Sequence, residues 1–135
     1  MATIKPIDPL TMYIEYTLGH EANAPTPVGN RDAWWHAFSG IAFYSWTDRF
    51  ATALRGEVFL DSQAARTFGL NSINPVRNVT LGEVTLAGTY KFTKMFLGRA
   101  ELSQDWANHG VFKVGSNGGA DSNQTTLAVQ LIYTY

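Results

Sequence analysis

Two stretches of the chain carry ionisable groups at matching offsets, Arg55-Gly-Glu57-Val-Phe-Leu-Asp61 and Arg99-Ala-Glu101-Leu-Ser-Gln-Asp105. Guanidinium and carboxylate groups spaced by two residues set a field along a surface or pair across it. They do not supply the nucleophile, base and orienting acid of acyl-transfer chemistry. In a β-strand the offsets i, i+2 and i+6 place all three charges on one face. The opposite face then reads Leu54, Gly56, Val58 and Leu60 in the first copy, and Gly98, Ala100 and Leu102 in the second.

Other candidate chemistry is thinner. Three histidines occur, His20, His36 and His109; a His beside Glu21 or Asp32 could suggest metal binding or a hydrolase, but no HExxH motif or triad order is present. Ser39 near His36 is the one local candidate for a hydrolase at a lipid boundary, and loop polarity is the simpler reading of the histidines. Gly115-Ser-Asn-Gly-Gly119 lacks the Lys-Ser/Thr that follows a phosphate cradle and reads as a flexible loop. Asn78-Val-Thr80 and Asn123-Gln-Thr125 match glycosylation sequons, as short motifs do by chance. Cysteine is absent, which excludes disulfides, thiol catalysis and Cys-ligated zinc. The formal net charge of −1 gives no electrostatic case for nucleic acid. The expectation is a non-enzyme with no metal and no cofactor.

The elements that position the charges read as strands. Period-2 patterning marks six of them, at roughly 10–18, 33–46, 49–60, 78–92, 94–106 and 124–135. Most exceed the 5–6 residues of an ordinary strand and reach the 9–11 residues needed to span a bilayer. Segment 33–46 has a rival reading as an amphipathic helix behind an Asp32 N-cap, opposed by Gly40 and its aromatics. Asp61-Ser62 could also cap a helical turn at 63–68. Thr47-Asp48 and Thr93-Lys94 read as tight turns, while 19–32, 61–77 and 107–123 are long connections rich in Gly, Pro, Asn and Ser. In an up-and-down meander every long connection falls on one side.

Five strands sort into two faces. One carries Glu15, Arg55, Glu57, Glu83, Lys91, Arg99, Glu101, Asp105 and Gln130. The other carries Met12, Ile14, Leu54, Val58, Val84, Leu86, Leu102, Leu127, Val129, Leu131 and Tyr133, with no charged residue. Charged residues make up 16% of the chain, against about 25% in soluble proteins, and aromatics 13%. A soluble sheet buries its apolar face, whereas a transmembrane barrel turns that face to lipid and its charges inward. Low charge, long strands and one-sided loops favour the barrel. Aromatics grouped near the tight turns (Phe43, Trp46, Phe50, Tyr90, Phe92, Phe96) match an interfacial girdle. A soluble β-barrel or sandwich binding an apolar ligand is the alternative.

The order of these motifs resembles a known family. Leu54-Arg-Gly-Glu-Val-Phe-Leu-Asp61, Ala65-Arg-Thr67, Glu83-Val-Thr-Leu86, Arg99-Ala-Glu101 with Asp105, and Gln124-Thr-Thr-Leu-Ala-Val-Gln-Leu-Ile-Tyr-Thr-Tyr135 resemble the C-terminal part of the OmpL-like β-barrel porins. Gly19-His-Glu21 with Asp32-Ala-Trp-Trp-His36 is similar to the preceding hairpin. The resemblance implies an all-β antiparallel meander forming part of a transmembrane barrel in the bacterial outer membrane. It implies passive diffusion of small solutes or ions through a lumen lined by Glu15, Arg55, Glu57, Asp61, Glu83, Lys91, Arg99, Glu101, Asp105 and Gln130. Leu131, Tyr133 and Tyr135 look like the terminal signal read by the outer-membrane assembly machinery. Members of such families are longer, and Met1-Ala-Thr-Ile-Lys-Pro lacks an export signal's apolar core. Six strands would leave two open edges, which lipid does not tolerate. The partners expected are therefore the lipid bilayer and further barrel strands or other copies of the chain.

Overall fold

The computed structural model describes residues 1–67, 78–114 and 119–135. The alternating segments become one antiparallel sheet of β1 (Ala2–Ile7), β2 (Leu10–Ala24), β3 (Arg31–Ser45), β4 (Phe50–Asp61), β5 (Val79–Lys91), β6 (Phe96–Ala107) and β9 (Asn123–Tyr133). Their spatial order is β1-β2-β3-β4-β5-β6-β9, a meander. A small hairpin of β7 (Phe112–Val114) and β8 (Gly119–Asp121) is inserted between β6 and β9.

Segment 33–46 is strand and not helix. β3 pairs with β2 without interruption from Leu10↔Tyr44 to Glu21↔Ala33, and with β4 from Trp35↔Asp61 to Ser45↔Ala51. Its Trp, Phe, Tyr and Ile side chains suit a pleated surface. Residues 62–67 form tight turns, not a helical one. The stretch Gly115-Ser-Asn-Gly118 and residues 68–77 lie outside the described residues.

Three features depart from the sequence expectation, the first being the β7–β8 hairpin inside 107–123, which reads as a long connection. β1, which holds Pro6, lies ahead of the first expected segment. It survives at the sheet edge, where a missing N–H is tolerated, with a bulge between Ile4 and Ile7. β2 runs past Leu18 to Ala24, because Gly19, His20 and Glu21 continue the ladder opposite Trp35, Trp34 and Ala33. Pairing with β3 overrides their weak strand propensity. The strand then bulges, with Asn23 at φ 57°.

The tight turns share one construction. Trp46 and Thr47 donate their N–H groups to Phe50 O at 3.0 and 3.1 Å; Phe92 and Thr93 donate to Phe96 O at 2.9 and 3.1 Å. Thr47 Oγ1 accepts from Arg49 N and Phe50 N, and Thr93 Oγ1 accepts from Met95 N. The shared sequence, aromatic-Thr-x-x-Phe, explains the likeness. The β1–β2 turn lies on the same side, and all long connections lie on the other.

The two faces differ in burial. Ala33, Asp61, Val79, Thr85, Ala87 and Ala107, all on the charged face, are buried. On the opposite face Leu54, Leu86, Leu102 and Leu127 form one cross-strand row, exposed by 50%, 53%, 51% and 74%. A soluble sheet would show the reverse. Side chains that shield one another on the polar side are those of a sheet curled toward that side.

Two cross-strand pairs set an aromatic ring against a glycine. A Cβ on Gly19 would lie 2.0 Å from the Trp35 ring, and one on Gly82 would lie 2.2 Å from Trp106. Each ring occupies the space a side chain would take. Gly82→Ala is therefore expected to displace Trp106 and cost about 1–3 kcal/mol by overpacking. A lowered denaturant midpoint with a shifted tryptophan emission would register it; an unchanged emission maximum would count against this packing.

Candidate functional site

Register turns the charged positions into rows. From the tight-turn end, Lys91 lies opposite Leu97, and Arg99 lies between Thr89 and Gln130. Glu101 lies between Ala87 and Ala128, and Arg55 between Ile41 and Thr85. The next row runs Glu15–Ser39–Glu57–Glu83–Asp105–Gln124 across six strands. Ser39 brings β3 into the charged face that the sequence had traced on the other five.

Like charges directly opposite each other destabilise a sheet, so Glu57 facing Glu83 needs compensation. Arg55 supplies it diagonally: its Nε donates to Glu83 Oε1 at 3.0 Å, and Nη2 contacts the same oxygen. Thr85 Oγ1 donates to Glu83 and also contacts Ser103 Oγ at 3.1 Å. Arg99 pairs with Glu101 on its own strand. Among the described residues Glu15, Glu57 and Asp105 make no ion pair. The central row thus holds four carboxylates, one of them bonded by a guanidinium from the adjacent row.

Asp61 lies in register with this face but is fully buried and does not face open space. Its carboxylate accepts from Ala65 N at 3.0 Å, Arg66 N at 2.7 Å, Thr67 N at 2.9 Å and Thr67 Oγ1 at 3.1 Å. It folds the connection after β4 inward. Ala64 then packs with Val79, Ala107 and Val111, flanked by Leu81 and Phe112. Asn108 fixes the connection after β6, donating from Nδ2 to Asn78 O at 2.7 Å and accepting from Thr80 N at 2.9 Å. Phe112 joins Phe59, Leu81, Glu57, Glu83 and Asp105 around a recess of about 220 Å³ beside the carboxylate row.

Three residues that sequence reasoning missed stand at the long-connection end of the charged face. Arg66 lies 4.0 Å over the Trp35 ring centroid, and its Nη2 is 2.8 Å from Glu21 Oε2. The only sequence hint was Asp61 standing ahead of Ala65-Arg-Thr67, a capping pattern that gives no direction to the turn.

The histidines behave differently. His36 sits on the uncharged face, in register with Leu18 and Leu60, and Ser39 sits on the charged face. The offset of three residues separates them across the sheet, so no Ser–His dyad forms. The Tyr16 hydroxyl bonds His36 Nδ1 at 2.7 Å, and His20 stacks on Trp34 at 4.2 Å.

The uncharged face carries aromatics near both ends of its strands, with Tyr16 and Phe38 also exposed between them. Trp34 and Tyr44 on β3, and Phe96 and Trp106 on β6, are each ten residues apart. Ten residues rise about 33 Å, or about 25 Å in height at barrel tilts, equal to the apolar band of outer-membrane barrels. Asp32, beyond Trp34, is the one Asp, Glu, Lys or Arg among β3's positions on this face, which also holds His36. Leu131 and Tyr133 are exposed on the same face, Gln130 faces Arg99, and Thr134 N donates to Met95 O at 2.9 Å. Tyr135 lies past the end of β9 and is exposed.

A family model described as "Putative beta-barrel porin-2, OmpL-like" matches residues 1–135. No curated protein and no solved structure matched the chain.

Proposed function

Since the chain belongs to the OmpL-like β-barrel porin-2 family, we propose that it forms part of the wall of a passive diffusion pore in the bacterial outer membrane. Further strands or copies complete the wall, and the charged face lines the lumen. The observation that carries this reading is the two-sided partition. Mid-strand charges of β2, β4, β5 and β6 share one face, whose interspersed small residues are buried, and an exposed leucine row occupies the other. The exposed face suits lipid, where an Arg or Lys at the midplane costs about 2–4 kcal/mol.

The central row gives the pore a sign. Four carboxylates in one row, with a single guanidinium reaching Glu83 from the adjacent row, attract cations and repel anions, as charged rings do in channels. In planar bilayers under a KCl gradient, the protein purified from membranes is expected to show a cation-selective reversal potential. Glu57→Lys adds a cation to that row and is expected to lower the cation-to-anion permeability ratio several-fold. A protein that is monodisperse without detergent, or that adds no conductance to bilayers, would end the pore reading. Conductance with no change in selectivity for Glu57→Lys would remove the row from the permeation path.

A further inference from the structure

The connection after β4 places one side chain where solutes would enter. Asp61 holds residues 65–67 by their backbone N–H groups, and the turn carries Arg66 over β3 to β2. Trp35 provides the platform. Its ring is pressed against Gly19 on β2, so it lies along the wall, and the guanidinium covers it at 4.0 Å. Glu21, on the same face, anchors the far end of the guanidinium.

We propose that Arg66 is a specificity-determining residue of the pore, a latch that sets the charge and width of its long-connection mouth. The inference rests on the pore reading above. Two observations carry it beyond a structural tie. The Arg66 and Glu21 side chains remain 48% and 41% exposed, so passing ions sense both. The pair is also the one ion pair among the described residues that joins a long connection to the strand wall. An Arg fork stacked on a ring is held in position, where a Lys would not be. The mouth is thereby narrowed by a fixed group and carries one charge of each sign.

Removing either partner leaves the other charge bare at the same place. Arg66→Gln is expected to raise cation selectivity and Glu21→Gln to lower it, each by a factor of about two to five in permeability ratio. A merely structural tie would move both variants the same way, or neither. Arg66→Lys keeps the charge but loses the stacked fork. It should retain wild-type ion selectivity while raising the liposome swelling rate for a trisaccharide more than for a monosaccharide. The measurements use the protein purified from membranes, with heat-modifiable gel migration as the check of folding. If Arg66→Gln does not fold, Glu21→Gln and Arg66→Lys carry the test by the same criteria. Wild-type protein that conducts, with selectivity shifts of the same sign or none, overturns the latch and leaves the pore reading standing. Wild-type protein that does not conduct ends both.

Discussion

Leu102→Arg is expected to destabilise the folded protein in lipid by about 2–4 kcal/mol, whereas Ser103→Arg, one residue on, is expected to cost about 1 kcal/mol or less. Leu102 stands in the row Leu54–Leu86–Leu102–Leu127 midway between the aromatic levels on β6. A guanidinium there loses water and gains no partner. Ser103 faces the other way, beside Thr85, one pair of residues from Glu101 and from Asp105. An Arg at 103 loses the Thr85–Ser103 hydrogen bond and gains carboxylates within reach. Denaturant unfolding in lipid vesicles measures both variants. A larger loss for Ser103→Arg than for Leu102→Arg would mean that the charged face, and not the leucine face, meets lipid.

Asp61→Ala is expected to leave the sheet folded and release the inward turn. Three backbone donors and the Thr67 hydroxyl lose their acceptor. Buried donors left unsatisfied cost about 1–3 kcal/mol each, but a turn that opens to water caps the loss at roughly 3 kcal/mol in total. Local opening should rise by roughly a hundredfold. Arg66 follows in the same turn, so trypsin reports the opening: cleavage after Arg66 should accelerate by about that factor. Asp61→Asn, whose amide oxygen still accepts, should fall between. No acceleration in Asp61→Ala would show that packing of Ala64 against Val79, Ala107 and Val111 holds the turn without the carboxylate.

The face of each residue was legible because strand geometry has period two. Arg55, Glu57 and Asp61 share a face whatever strand lies beside them. Their neighbours across the sheet were not legible, because register depends on turn construction and bulges. The two Arg-x-Glu copies match in sequence yet do not stand level. Arg55 shares its row with Ser103, four residues along from Arg99. Arg55 therefore meets Glu83 diagonally, and Glu57 stands directly opposite Glu83. The end of β2 and the whole of β1 were hidden for a related reason: Gly19, His20, Glu21 and Pro6 oppose strand structure locally, and only a neighbouring strand overrides them. The inward turn at 62–67 was hidden because capping chemistry fixes a local bend and not the side of the sheet it folds over.

The meander has a consequence for how the wall is made. Every strand of the large sheet bonds only to the strands before and after it, with the β7–β8 hairpin as a side branch. Among the described strands of this sheet none waits for a distant one, so pairing within it never spans more than one connection. The wall can grow like a hem sewn in one direction, each strand added to the last finished edge. Interrupted at any stitch, such a chain leaves a narrower sheet in the correct register rather than a tangle, and its newest strand offers a free backbone edge to the next.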